Sequence, residues 1–306
     1  MGKFEINILG CGSALPTLRH YPSTQVLNIR DNLFMIDCGE GAQIQFRRMR
    51  LKFNRLGHIF LSHLHGDHCF GLIGMISTLS LLGRTGELVV HAHPQAEEVF
   101  RPQLDFFCRE LPFAVRFEPV LPGRSEVIYE DHAIRVRSLP MIHRVPCSGF
   151  LFEEKPGLRH LRGDMVKFYD IPVYRRAEIK AGADYTTPDG QIVPNDRLTT
   201  PAEAPLRYAY CSDTAYNEAL IPLIAGADCL YHEATFGDDA EELARLTCHS
   251  TARQAARIAS QASVKQLVLG HFSARYDDEQ PLCDEACQEF TPCTLAREGM
   301  KIVLGK

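Results

Sequence analysis

Four short apolar runs in this chain lead to residues able to bind a metal ion. His58-Ile59-Phe60-Leu61 precedes His63, the run opening at His132 carries the chain to His143, Leu206-Arg207-Tyr208-Ala209-Tyr210 precedes Asp213, and Gln266-Leu267-Val268-Leu269-Gly270 precedes His271. Short apolar runs bounded by turn residues read as buried strands. In layered α/β proteins the C-terminal ends of strands share one edge, and sites are built there. The recurrence therefore predicts an α/β fold in which ligands far apart in sequence meet at one sheet edge.

The remaining pattern fits such a fold. Further strands are predicted at 4–9, 32–37, 88–92, 114–117, 126–129, 229–233 and 300–304. Helices are predicted at 40–50, from near His68, from Pro94, and at 250–262, where Ala252, Ala255, Ala256, Ile258 and Ala259 share a face. From about 153 to 205 the chain is rich in Pro, Gly, Asp and Arg and has little periodicity. This stretch reads as a protruding arm inserted into one domain spanning 1–306.

Composition narrows the class. Apolar residues make up 45% of the 306 residues, enough for a sizeable core. The net charge of -5 argues against a wholly basic nucleic-acid surface but allows a local basic patch. The eleven cysteines are odd in number and scattered, which predicts reduced thiols and a cytoplasmic protein. Cys283 and Cys287 can share a helical face, but no second pair at metal-binding spacing accompanies them. No signal peptide is visible at Met1-Gly2-Lys3-Phe4-Glu5. The longest apolar stretch, 70–83, is interrupted by Ser77, Thr78 and Ser80 and falls short of the roughly 20 residues that span a bilayer. It reads as a buried helix, and no membrane partner is predicted.

His63, His65, Asp67 and His68 form an H-x-H-x-D-H run. Imidazole and carboxylate are good zinc ligands, and packing gains nothing from clustering them. His63 and His65 can point one way along an extended segment, while Asp67 and His68 lie past the turn at Gly66. One segment can thus serve two metal ions, with the remaining ligands supplied from elsewhere. His143, Asp213 and His271 meet that need, and Asp213 can bridge through its two oxygens. Taken singly, a histidine at a strand end can equally be a hydrogen-bonded structural residue.

The run from His63 to His68 resembles the signature of the metallo-β-lactamase superfamily. Within it, the whole chain is similar to the short-form ribonuclease Z family, the tRNA 3'-processing endonucleases. The resemblance rests on Asp37-Cys38-Gly39-Glu40-Gly41, Leu61-Ser62-His63, Cys211-Ser212-Asp213-Thr214, His232-Glu233-Ala234-Thr235-Phe236, His249-Ser250-Thr251 and His271-Phe272-Ser273-Ala274-Arg275-Tyr276. It implies a four-layer αβ/βα sandwich and two zinc ions. One ion takes His63, His65 and His143, the other takes Asp67, His68 and His271, and Asp213 bridges them. It further implies Asp67 as ligand and base and His249 as proton donor. His232 and Glu233 would orient these groups, with a structural ion pair as the other reading of Glu233. The implied reaction cuts precursor tRNA on the 3' side of the discriminator nucleotide, leaving a 3'-hydroxyl and a 5'-phosphate on the trailer. A homodimer is implied as well.

Two basic segments bear on RNA. The run from Phe46 to Arg55 suits either phosphates, a solvated helix face or a dimer contact. Between Lys155 and Lys180 stand seven Lys or Arg (Lys155, Arg159, Arg162, Lys167, Arg175, Arg176 and Lys180) against Asp164, Asp170 and Glu178. That excess fits an RNA-gripping arm. The arm departs from the family in lacking a Gly-Pro pair at Ile171-Pro172-Val173-Tyr174-Arg175-Arg176. His20, in Pro16-Thr17-Leu18-Arg19-His20, stands where the family usually has asparagine, a position that bears on precursors with an encoded CCA end. The competing enzyme reading is a two-zinc phosphodiesterase or related hydrolase acting on a small ester. A non-catalytic RNA-binding homologue would be expected to lose ligands, and all seven positions are filled.

Overall fold

Strands that are apolar on both faces need cover on both. The computed structural model, which describes residues 4–305, supplies it with two seven-stranded mixed sheets and outer helices. Met1, Gly2 and Lys3, where no signal peptide is visible, lie outside the described residues, as does Lys306.

The first sheet runs in the order Lys301–Val303, Phe4–Gly10, Thr24–Ile29, Asn32–Ile36, Leu56–Phe60, Leu88–Ala92, Val115–Pro119. Its last four strands are parallel. The second runs Cys293–Leu295, Leu267–Gly270, Cys229–Glu233, Arg207–Cys211, Ser148–Glu154, Ile134–Pro140, Val127–Glu130. Its first four strands are parallel. Alternation splits each strand between two cores. Phe4, Ile6 and Ile8 join Phe150, Phe152, Tyr208 and Tyr210 in one cluster, whereas Leu9 joins the helix-covered side. Ring contacts of Phe60 with Phe150 and Phe152, at 5.5 and 5.3 Å, bring the two sheets face to face.

Helices Ala42–Arg48, Leu72–Leu81 and Gln95–Phe107 contribute to the cluster on the outer face of the first sheet. Ala252–Gln261 and Gln280–Cys287 contribute to the cluster that includes the second sheet. The layers are those of the four-layer αβ/βα expectation. The stretch 70–83 is the helix Leu72–Leu81, with Leu72, Met75, Ile76 and Leu79 buried and Phe70, Leu81 and Leu82 exposed. No helix among the described residues is long and apolar enough to cross a membrane.

Three strands of the two large sheets went unrecognised in the sequence, one of them the three-residue edge strand Cys293–Leu295. Thr24–Ile29 carries Gln25 and Asn28, which blur its apolar pattern; Gln25 is buried and accepts the Tyr208 hydroxyl. Ser148–Glu154 opens with Ser148-Gly149, which reads as a turn. Gly149 is there for space: a Cβ would meet the Tyr210 carbonyl oxygen at 2.6 Å.

Residues Glu154–Pro205 form a separate compact unit. The weak periodicity predicted no core there, yet Ile171, Ile179, Tyr185, Val193 and Leu198 close into a small buried cluster. Its elements are very short, such as Gly163–Phe168, Arg176–Lys180 and Asn195–Leu198. Segments of four to six residues show too few turns to register as periodic.

Candidate metal centre

The parallel strands deliver the chemistry at their C-terminal ends. Asp37 follows Asn32–Ile36, His63 follows Leu56–Phe60, Asp213 follows Arg207–Cys211, Glu233 ends Cys229–Glu233, and His271 follows Leu267–Gly270. His143 follows Ile134–Pro140 in the second sheet. All seven sequence-predicted ligands converge in two groups. His63, His65, His143 and Asp213 make one, Asp67, His68 and His271 the other, with ligand atoms within 4.8 Å inside each. Asp213 faces both. Its Oδ1 is 3.4 Å from His68 Nε2 and 3.2 Å from His271 Nε2, while Oδ2 is 3.8 Å from His63 Nε2 and 3.9 Å from His143 Nε2.

The outward ring nitrogens are committed elsewhere, which assigns the tautomers. His68 Nδ1 donates to Asp37 Oδ2 at 2.8 Å, and His143 Nδ1 donates to the Cys248 carbonyl at 3.0 Å. Thr235 Oγ1 donates to Glu233 Oε2 at 2.7 Å, so it accepts from His271 Nδ1 at 2.8 Å. Ser62 Oγ donates to Asp37 Oδ2 and accepts from His63 Nδ1, each at 3.0 Å. In its neutral form each of these rings therefore turns a lone pair inward, as metal-binding imidazoles do when their other nitrogen is held.

Inside the first group these lone pairs face one another. His63 Nε2 is 2.9 Å from His65 Nδ1, which is 3.4 Å from His143 Nε2. Burial lowers the pKa of all three imidazoles and so favours their neutral forms. Three neutral imidazoles beside a carboxylate fit a divalent cation. Burial opposes ionisation of Asp67 and Asp213, but the adjacent His68 and His271 imidazoles override it and hold both carboxyls well below the usual range.

The backbone is bent to make this fit. Asp37, Cys248 and His271 adopt φ of 55, 58 and 59°, in the left-handed region that side chains avoid. Each either belongs to the centre or holds one of its histidines, which is where such strain accumulates. Gly270 is required beside His271, since a Cβ there would meet the Tyr231 hydroxyl at 2.0 Å.

His249 Nδ1 sits 2.8 Å from Glu233 Oε1. Burial opposes its charge, but the Glu233 carboxylate, helped by Asp213, pushes its pKa up to about 9. Glu233 is fully buried and also accepts from the Thr214 and Thr235 amides at 3.0 Å. It is thus both an ion pair and an orienting group. His232 is not brought to the centre: its Nδ1 donates to the Glu233 carbonyl at 2.7 Å. Adjacent residues on a strand point to opposite faces, so Glu233 and His232 cannot both face the site.

Sequence reasoning gave no roles to Asp37, Ser62, Tyr210 and Thr235. Asp37 carries the most weight, taking His68, the Ser62 amide and hydroxyl, and Tyr210 Oη at 2.7 Å. Its place just past an apolar strand was the available signal. The centre opens into a cavity of about 870 Å³ lined also by Leu15, Phe70, Arg144, Phe236 and Arg275.

In the separate unit, Arg162, Lys167 and Lys180 are exposed, while Arg159, Arg175 and Arg176 are half-buried. Arg159 donates to Thr199 at 2.6 Å, Arg176 donates twice to the Ile171 carbonyl at 3.2 Å, and Arg175 pairs with Glu178 at 3.0 Å.

Known proteins are similar to this chain over its full length. The ribonuclease Z of Phocaeicola vulgatus is 56% identical over 302 residues, covering 99% of this chain and 98% of that protein. The crystal structure of human tRNase Z, short form, matches with a TM-score of 0.70 and 24% identity over 97% of this chain and 98% of that one. The metallo-β-lactamase fold protein YhfI of Bacillus subtilis matches at 0.69 and 18%, over 98% and 99%. A family model described as "Anti-Pycsar protein Apyc1" matches residues 4–99. The two structural likenesses carry the fold, while the full-length identity of more than half the residues carries the family: this chain belongs to the ribonuclease Z family.

Proposed function

We infer that this chain is a metal-dependent endoribonuclease that processes the 3' ends of precursor tRNA. The observation that carries the reading is the paired ligand groups sharing Asp213, in a chain 56% identical over its length to a ribonuclease Z. His63, His65 and His143 would hold one ion, Asp67, His68 and His271 the other, with Asp213 between them. Divalent ions so held neutralise a phosphodiester and lower the pKa of water. Two zinc ions per subunit are our proposal, from the balance of nitrogen and oxygen donors.

The chain's own groups supply the proton transfers. Asp67, which lines the cavity, would accept a proton from the attacking water. His249 lines the cavity with its Nδ1 spent on Glu233, so its Nε2 carries a proton toward the leaving 3'-oxygen. Cleavage then falls 3' of the discriminator nucleotide, leaving a 3'-hydroxyl on the tRNA and a 5'-phosphate on the trailer.

The 154–205 unit is proposed to hold the tRNA body. Exposed Lys167, Lys180 and Arg162 would meet phosphates, beside exposed Phe168 and Tyr174. Arg159, Arg175 and Arg176, tied into the unit, would contribute charge and shape. A cytoplasmic homodimer completes the proposal.

The test is cleavage of a precursor tRNA by purified protein, with and without a zinc chelator. A single cut after the discriminator base, abolished by chelation and by Asp67→Ala, is expected. Hydrolysis of a cyclic nucleotide or other small diester, with the precursor left intact, would replace the tRNA reading by the small-ester one.

A further inference from the structure

Cys283 and Cys287 lie one turn apart on the helix Gln280–Cys287, which places them on one face. The chain then turns back, and Cys293 opens the edge strand Cys293–Leu295. The Cys283 and Cys287 sulfurs are 3.9 Å apart, and all three sulfurs lie within 4.8 Å of one another. All three are free thiols. Around a tetrahedral zinc with Zn–S bonds of about 2.3 Å, sulfurs stand about 3.8 Å apart. The thiols are thus spaced close to three corners of such a tetrahedron before any ion is added.

We propose that Cys283, Cys287 and Cys293 form a third metal site, one that takes a thiophilic ion such as zinc and pins the last helix to the edge of the second sheet. The donors in the group are all sulfur, which selects zinc or monovalent copper over magnesium and calcium. Cys283 is buried, Cys293 half-buried and Cys287 exposed. An ion therefore enters past Cys287, where solvent can supply the fourth ligand.

The site is separate from the catalytic centre. Cys293 pairs with Leu267 at the start of a parallel strand, whereas His271 follows that strand's other end at Gly270. Each thiol that bonds the metal releases its proton to solvent. The expected consequence is structural. The helix packs on Ala252–Gln261, the element that follows His249, and a metal clip would hold that layer in place.

The experiment uses the reduced, full-length protein titrated with Co2+ in the absence of oxygen. Cobalt thiolates show an intense near-ultraviolet charge-transfer band that histidine and carboxylate ligands do not give. The proposal expects a band of the intensity of one cobalt-thiolate centre per chain, whatever cobalt the His and Asp groups also take up, which bleaches on adding Zn2+ and vanishes in C283S/C287S/C293S. C287S alone, at an exposed position that leaves packing intact, should weaken the band several-fold and leave precursor cleavage unchanged. Absence of the band in the wild-type protein would overturn the site. So would a band of full intensity in C287S, which would place the cobalt at other cysteines. Loss of two free thiols without bound metal, reversed by reductant, would replace the site by a disulfide.

Discussion

At the residue scale, four of the five candidate ligand histidines are defined by the partner of their other nitrogen. Asp37, Thr235, Ser62 and the Cys248 carbonyl set which lone pair points inward. His249 is set the same way by Glu233, for a different end: its pKa of about 9 keeps a proton available at neutral pH. His249→Ala should lower kcat by about 10²–10⁴-fold with metal content unchanged. A general acid fails as pH rises through its pKa. Glu233→Gln, by removing the charge that raises it, should move the alkaline limb of the rate profile to lower pH. An unmoved limb would assign the proton to another group.

His20 offers a test through stability. Its Nδ1 meets Glu298 at 3.1 Å and its Nε2 meets Glu279 at 3.2 Å. The Glu298 hydrogen bond, against the opposing effect of burial, holds its pKa above the ordinary value. A raised folded-state pKa contributes stability that is complete below the unfolded value and is lost as pH rises through the folded one. His20→Gln should therefore cost about 1–2 kcal/mol near about pH 5.5 and little near about pH 9, by urea unfolding. An equal cost at both would mean that the ring acts by packing alone.

At the element scale, the helix Ala252–Gln261 shows how local sequence and site are joined. Thr251 caps it in a reciprocal box with Gln254, two residues after His249. Thr251→Ala should destabilise the protein by about 1 kcal/mol, read from denaturant midpoints. Because the cap fixes the chain just past His249, kcat should fall as well; unchanged kcat would separate cap from site. This helix was readable from its alanine face. Thr24–Ile29 was not, because Gln25 turns polar groups inward and finds its partner on Tyr208, 183 residues away.

At the scale of the whole molecule, the chain comprises a two-sheet body carrying the candidate metal centre and the 154–205 unit with its own small core. Replacing 154–205 by a short Gly-Ser linker should reduce kcat/KM for precursor tRNA by orders of magnitude. Hydrolysis of a small phosphodiester should hold near the wild-type rate. Equal losses on both substrates would show the unit to be needed for folding of the body and not for grip.

The layered α/β class and the seven candidate ligand positions were legible in the order of residues, because strand ends and ligand chemistry are local and recurrent, whereas His249 was reached only through the family resemblance. The order of residues also placed the 153–205 insertion, by a shift in composition. Tertiary structure alone decided the rest. Which oxygen of Asp213 faces which group, which imidazole nitrogen is free, and that Asp37 rather than His232 orients the histidines all depend on atoms from strands far apart in the chain. The same holds for Cys293, which no spacing rule joins to Cys283 and Cys287. A hydrogen-bond partner or a third sulfur is supplied by packing, and packing has no signature in the order of residues.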